Sequence, residues 1–153
     1  MRWPSKLAYA AALLAGAFGL FGEDVPSGWK AVKDRQGACQ IAVPGDWVAD
    51  KLIKSFMTSA DGKASAVAHG LRAGQQFAEG TALAKQVMKP TKTIEDSGKR
   101  VWYAYEGSGG AGGGTNWYVA VAGSPVCTAQ ISFKDAAAEE IAKKIALSLT
   151  QAK

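Results

Sequence analysis

His69 is the sole histidine of the chain, and so the one side chain whose ordinary titration range brackets neutral pH. A small hydrolase built on His69 needs a serine or cysteine nucleophile and an orienting carboxylate beside it in space. No Gly-x-Ser-x-Gly elbow marks such a serine. His69 sits near the end of a strand-like run, just before Gly70, a setting more typical of a structural or surface histidine than of a general base. Cys39 and Cys127 are the other reactive pair. They form no Cys-x-x-Cys motif, and one histidine cannot complete a zinc site with them without carboxylate help, so no metal site is expected. The acidic residues are few and scattered, Glu139 and Glu140 are accounted for by a helix, and no paired-carboxylate site is visible.

Two further patterns bear on binding. Gly107, Gly109 and Gly112 match the Gly-x-Gly-x-x-Gly spacing of dinucleotide sites, but that motif needs a helix N-terminus directly after it to hold a pyrophosphate. Here the following residues read TNWYVAVA, alternating and β-rich. The run GSGGAGGG over residues 107 to 114 is therefore read as a flexible hairpin loop, and no cofactor is expected. Lys85, Lys89, Lys92, Lys99 and Arg100 cluster in the sequence and compose a candidate basic face, rimmed by Gly109 and Gly112, for an acidic partner or an anionic surface. An ordinary solvated face is the plainer reading of the same residues.

The compartment follows from the N-terminus. Arg2 and Lys6 precede an apolar run of 15 residues from Leu7 to Phe21, with small residues at Ala15, Ala17, Gly19 and Gly22. This is the pattern of a secretory signal peptide, and the run is shorter than the roughly 20 residues of a spanning helix. An uncleaved membrane anchor is the alternative. Cleavage after Ala17, Gly19 or Gly22 fits the small-residue rule. Removal of residues 1–22 leaves 131 of 153 residues and lowers the net charge from +5 to +3. A charge that small does not point to nucleic acid. The remainder, 23–153, has the length of a single domain, and 48% hydrophobic residues supply its core. We expect a secreted or periplasmic protein, without stable membrane insertion once the signal is removed, whose partner is a protein or small ligand of the cell envelope. In that oxidising setting Cys39 and Cys127 are expected to pair. The loop so closed spans 88 residues, worth about 4 to 5 kcal/mol in the chain-entropy description.

The elements that must position these residues can be traced in order. Trp29 to Asp34 reads as a strand that hairpins onto the run beginning at Cys39, where Cys39, Ile41 and Val43 share a core face. Pro44 stops that strand, Gly45 and Asp46 turn it, and Trp47 folds back as an apolar ring. Ile53 to Ser59 and Lys63 to Leu71 read as strands around Asp61-Gly62. Phe77, Thr81, Ala84, Val87 and Met88 make one face of a helix that ends at Pro90, although Gly80 weakens it. Thr91 to Asp96 and Arg100 to Glu106 form a hairpin with aromatics on both faces, so both faces are expected to be covered. Two more strands follow, carrying Trp117, Val119 and Val121, then Cys127, Ala129, Ile131 and Phe133. A final helix is capped by Asp135, carries Glu139 with Lys143 and Glu140 with Lys144 on its outside, and buries Ala138, Ile141, Ala142, Ile145 and Leu149.

This order, with an early strand closing on Val43-Pro44-x-x-Trp47, resembles the PsbP-like superfamily over residues 29 to 150. That group includes an extrinsic photosystem II subunit, a Ran-binding nuclear import factor and secreted bacterial proteins of unknown role. The resemblance implies an α+β sandwich: an antiparallel sheet of about six to eight strands flanked by helices, with the C-terminal helix packed on the sheet. It also implies a non-catalytic binding or accessory role, since the superfamily has no catalytic motif to carry over. The cysteine pair lies outside the general pattern, and nothing in the residues indicates a photosynthetic or nuclear role.

Overall fold

The computed structural model describes residues 25–72, 74–106 and 114–153. The signal-peptide reading of residues 1–22 and the candidate residues Gly109 and Gly112 lie outside them. Among the described residues there are ten strands and two helices: β1 (Trp29–Lys33), β2 (Cys39–Pro44), β3 (Val48–Ala49), β4 (Met57–Thr58), β5 (Ala64–Gly70), α1 (Phe77–Met88), β6 (Lys92–Asp96), β7 (Arg100–Tyr105), β8 (Thr115–Val121), β9 (Cys127–Phe133), α2 (Ala136–Ser148) and β10 (Thr150–Gln151).

The main sheet has seven strands in the order β3-β4-β5-β9-β8-β7-β6, every neighbour antiparallel. This is the expected α+β architecture. The early hairpin does not join that sheet. It forms a second, three-stranded sheet in the order β1-β2-β10. Pro44 ends the ladder of β2, the turn closes with the Trp47 amide donating to the Pro44 carbonyl, and the Trp47 ring is buried in the core.

Both faces of the seven-stranded sheet are covered, as the two-sided aromatic pattern predicts. One face carries Trp102, Trp117, Val119, Ala129, Ile131 and Phe133, packed under α2 and the small sheet. There Trp117 meets Trp102 edge-on at 4.9 Å between ring centroids and Phe133 at 4.5 Å. The other face carries Val101, Tyr103, Tyr118 and Ala120 under Phe77, Ala84 and Met88 of α1. Tyr103 and Tyr118 stack there at 6.4 Å, and burial, then the neighbouring Tyr103, pushes the Tyr118 hydroxyl up to about 12.

Three sequence expectations are corrected locally. Ile53 to Ser59 is strand only at Met57–Thr58. The Asp50 carboxylate accepts the Leu52 and Ile53 amides at 2.8 and 2.9 Å, and the Phe56 amide donates to the Ile53 carbonyl, so a side-chain-held turn displaces the strand. Val87 is 70% exposed, because it lies roughly 80° around the helix from the Phe77, Ala84 and Met88 line. On α2 the ion pair formed is Lys143 with Glu140 at 2.9 Å, three residues apart, instead of the expected spacings of four. Gly80 has a packing reason: a Cβ there would run into the Leu71 side chain.

The C-terminal segment shows how the small sheet is tied to α2. Thr150 and Gln151 of β10 pair with Gln40 and Cys39 of β2. Two residues further along this register the chain is already helical, and the fully buried Ser148 takes over. Its hydroxyl accepts the Ala42 amide at 2.8 Å and donates to the Ile145 carbonyl at 2.6 Å. Asp135 caps the other end of α2, accepting the Ala138 amide at 2.9 Å. Cys39 and Cys127 are joined as a disulfide with their Cα atoms 5.6 Å apart, which fastens the small sheet to β9.

Two stability predictions follow from these ties. Replacing both cysteines with alanine should lower unfolding free energy by about 4 kcal/mol in urea titrations. A loss under about 1 kcal/mol would mean that the bond constrains little. Ser148→Ala leaves the buried Ala42 amide without its acceptor and should cost about 1 to 3 kcal/mol. Ser148→Thr, which keeps the hydroxyl, should recover part of that loss.

Candidate functional site

The chemistry-bearing residues divide into those used by the fold and those left outside. His69 is exposed on β5, and its neighbour across the ladder is Thr128, whose hydroxyl donates to the His69 carbonyl at 3.3 Å. Four aspartates serve as backbone anchors. Asp34 accepts the Ala38 and Cys39 amides at 2.7 and 3.0 Å. Asp50 holds its loop as described above. Asp61 accepts the Ser59 hydroxyl at 2.7 Å and the Lys63 amide at 3.0 Å, shaping the turn that the sequence assigns to Asp61-Gly62. Asp135 caps α2 and pairs with Lys63 at 3.3 Å.

Asp34 is the most enclosed of the four, at 7% exposure. Burial works to raise its pKa, but hydrogen bonds from the Cys39, Ala38, Gln36 and Gly70 amides outweigh it, and the carboxyl is held below its ordinary value. It stands beside the disulfide. A Cβ placed on Gly70 would lie 3.5 Å from the Cys39 Sγ and 3.8 Å from the Asp34 Oδ2, so carboxylate, glycine and disulfide meet at one junction. This is a structural use of charge.

The lysines are disposed differently. Lys85, Lys89, Lys92 and Lys99 are all exposed. Lys85 lies in the last turn of α1, and Lys89 follows as its C-cap in the left-handed region at φ 51°, its amide donating to the Lys85 carbonyl. Lys92 opens β6, the outermost strand of the main sheet, and Lys99 sits in the turn beyond its far end. Arg100 is half-buried and pairs with Glu95 at 3.7 Å, so it props the hairpin. The basic residues therefore form no compact patch. They lie at the two ends of β6, Lys85, Lys89 and Lys92 at its start and Lys99 and Arg100 past its end, separated by a strand of roughly 15 Å whose second half carries Glu95 and the exposed Asp96.

The same side of the fold carries apolar residues that the helical period assigns less clearly. Val87, Leu83 at 53% exposure and Ile94 at 39% are open to solvent. Ile94 stands at the bulge in β6, between Thr93 opposite Tyr103 and Glu95 opposite Trp102. A bulge and a lysine on an edge strand also blunt uncontrolled strand pairing, so the strip has a protective role whatever binds it. The angular position of Leu83 and Val87 on the helix is the signal that would have placed them outside.

The chain is similar in structure to cyanobacterial PsbP (CyanoP) from Synechocystis sp. PCC 6803, seen in solution. Identity is 9%, the match covers 83% of this chain and 94% of that chain, and the TM-score is 0.48. No family model matches the sequence, and no curated protein matches it. Among the described residues, no helix is long and apolar enough to cross a membrane.

The depressed Asp34 carboxyl contributes to an acid limb that the likewise lowered Asp50, Asp61 and Asp135 share. A folded-state pKa below the unfolded one contributes stability that is present above the unfolded value and lost as pH falls through the folded value. Wild-type stability should therefore hold above about pH 5 and decline below about pH 4. Asp34→Asn should lower the neutral plateau by about 1 to 3 kcal/mol and flatten the decline, as read from urea midpoints across pH. An acid limb as steep in the variant as in the wild type would detach it from Asp34.

Proposed function

We propose that the chain is an exported, non-catalytic binding or accessory module, secreted or periplasmic, which meets an acidic partner of the cell envelope along the basic strip of β6. The observation that carries this reading is the division described above. Asp34, Asp50, Asp61 and Asp135 are engaged in holding backbone, whereas Lys85, Lys89, Lys92 and Lys99 stand exposed beside an outermost strand. An outermost strand offers backbone groups to an extended segment, and flanking lysines attract acidic side chains to it. The disulfide supports export, since such bonds persist in oxidising compartments. It also suits a module whose task is to hold a shape outside the cytosol.

The test uses a photoreactive residue at position 94 and the envelope fraction of the host. A specific adduct should form with the wild-type strip, weaken in high salt, and fall at least fivefold with Lys89→Glu plus Lys92→Glu. Equal labelling by the reversed variant would sink this reading. So would turnover of a screened substrate that His69→Ala abolishes.

A further inference from the structure

The opposite edge of the sheet carries a second feature. After β3, the segment from Asp50 to Phe56 forms a protruding turn on which Leu52 is 93% exposed and Ile53 56% exposed, with Val48 of β3 beside them at 61%. Isolated exposed apolar residues are ordinary, but here the most exposed leucine is held out by a built support. The Asp50 carboxylate accepts the Leu52 and Ile53 amides, the Asp50 amide donates to the Phe56 carbonyl at 2.8 Å, and the Phe56 amide donates to the Ile53 carbonyl at 2.9 Å. The turn thus presents its side chains with several of its backbone polar groups already paired.

Lys51 and Lys54 flank the two apolar residues, and Lys33 and Arg35 from the β1–β2 turn line the groove beneath Leu52 and Ile53. All four cations are exposed. Two carboxylates share the region: Asp50, bound to the turn's amides, and Asp34, enclosed at the disulfide junction. The balance remains cationic, four charges against two.

We propose that the Leu52–Ile53 turn is a docking tip for an anionic lipid bilayer, its two apolar side chains entering the interfacial layer while Lys51, Lys54, Lys33 and Arg35 meet headgroup phosphates. Two observations select this occupant. Paired backbone groups lower the cost of entering an apolar layer. The ring of cations matches the negative surface of anionic lipids, and one apolar contact plus a basic patch is the two-part signal that peripheral attachment requires. Because β3 and β6 are opposite edges of one sheet, a chain seated by this turn presents its lysine strip away from the bilayer.

The test is co-sedimentation with phosphatidylglycerol–phosphatidylcholine vesicles against pure phosphatidylcholine vesicles. It uses protein recovered from its host, with the N-terminus of each variant matched by intact mass. Wild type should bind the anionic vesicles and release in high salt. Leu52→Gln plus Ile53→Gln, a pair checked to leave the thermal melt unchanged, should weaken binding about tenfold or more. Lys51→Glu should weaken it at least fivefold, whereas Lys89→Glu plus Lys92→Glu should not. Absence of binding overturns the proposal, as does binding that the Gln pair leaves intact or that only the Lys89 and Lys92 reversal removes. Self-association without lipid that the Gln pair abolishes would assign the tip to a second copy and overturn it as well.

Discussion

The bond between Cys39 and Cys127 joins two sheets that share no ladder, and most of the fold's particular shape depends on that joint. β2 belongs to the small sheet and β9 to the centre of the large one, so the bond ties the early hairpin to the central strand across 88 residues. Asp34 lies beside it and binds the amides that begin β2, while Gly70, at the end of β5, leaves room for both. At this junction a covalent bond, a buried carboxylate and a residue without a side chain satisfy one another. A charge so enclosed is tolerable only because several amides converge on it, those of Gln36, Ala38 and Cys39 from its own turn and that of Gly70 from the large sheet.

From the joint outward, the molecule is organised by which surfaces are covered. α2 and the small sheet seal one face of the seven-stranded sheet, and α1 seals part of the other. Two edges remain at either end of the strand order. One carries β6, with lysines, a bulge and the outward stripe of α1. The other carries β3, with an apolar turn raised on Asp50. The two edges differ in chemistry, one a set of lysines at the ends of a strand that also carries Glu95 and Asp96, the other a compact apolar turn flanked by cations.

Much of this was legible before any coordinate was known, because it rests on local periodicity. The β1–β2 hairpin, the stop at Pro44, the burial of Trp47, the β6–β7 hairpin with aromatics on both sides, and α2 with its Asp135 cap are all written in neighbours two to four residues apart. The cysteine pair was legible for a different reason: only two cysteines exist, and both fall on core-facing positions of alternating strands. The candidate site was less legible. The lysines were recognisable as a group, but sequence proximity suggested a cluster, whereas an extended strand spaces Lys92 and Lys99 far apart and Arg100 is drawn in by Glu95.

By itself the sequence determined the α+β class, the order of the elements, the faces that must be buried and the chemistry available, because strand and helix periods and turn residues act over a few positions. Tertiary structure alone decided that the early hairpin makes its own sheet with β10, that Ser148 completes the ladder where β10 runs out, that Asp34 serves the disulfide, and that Leu52 and Ile53 face outward. Each of these depends on partners distant in sequence or on competition between local bonds. The Ile53 run has strand-forming residues, yet the Asp50 carboxylate captured its amides first, and that outcome depends on geometry in three dimensions.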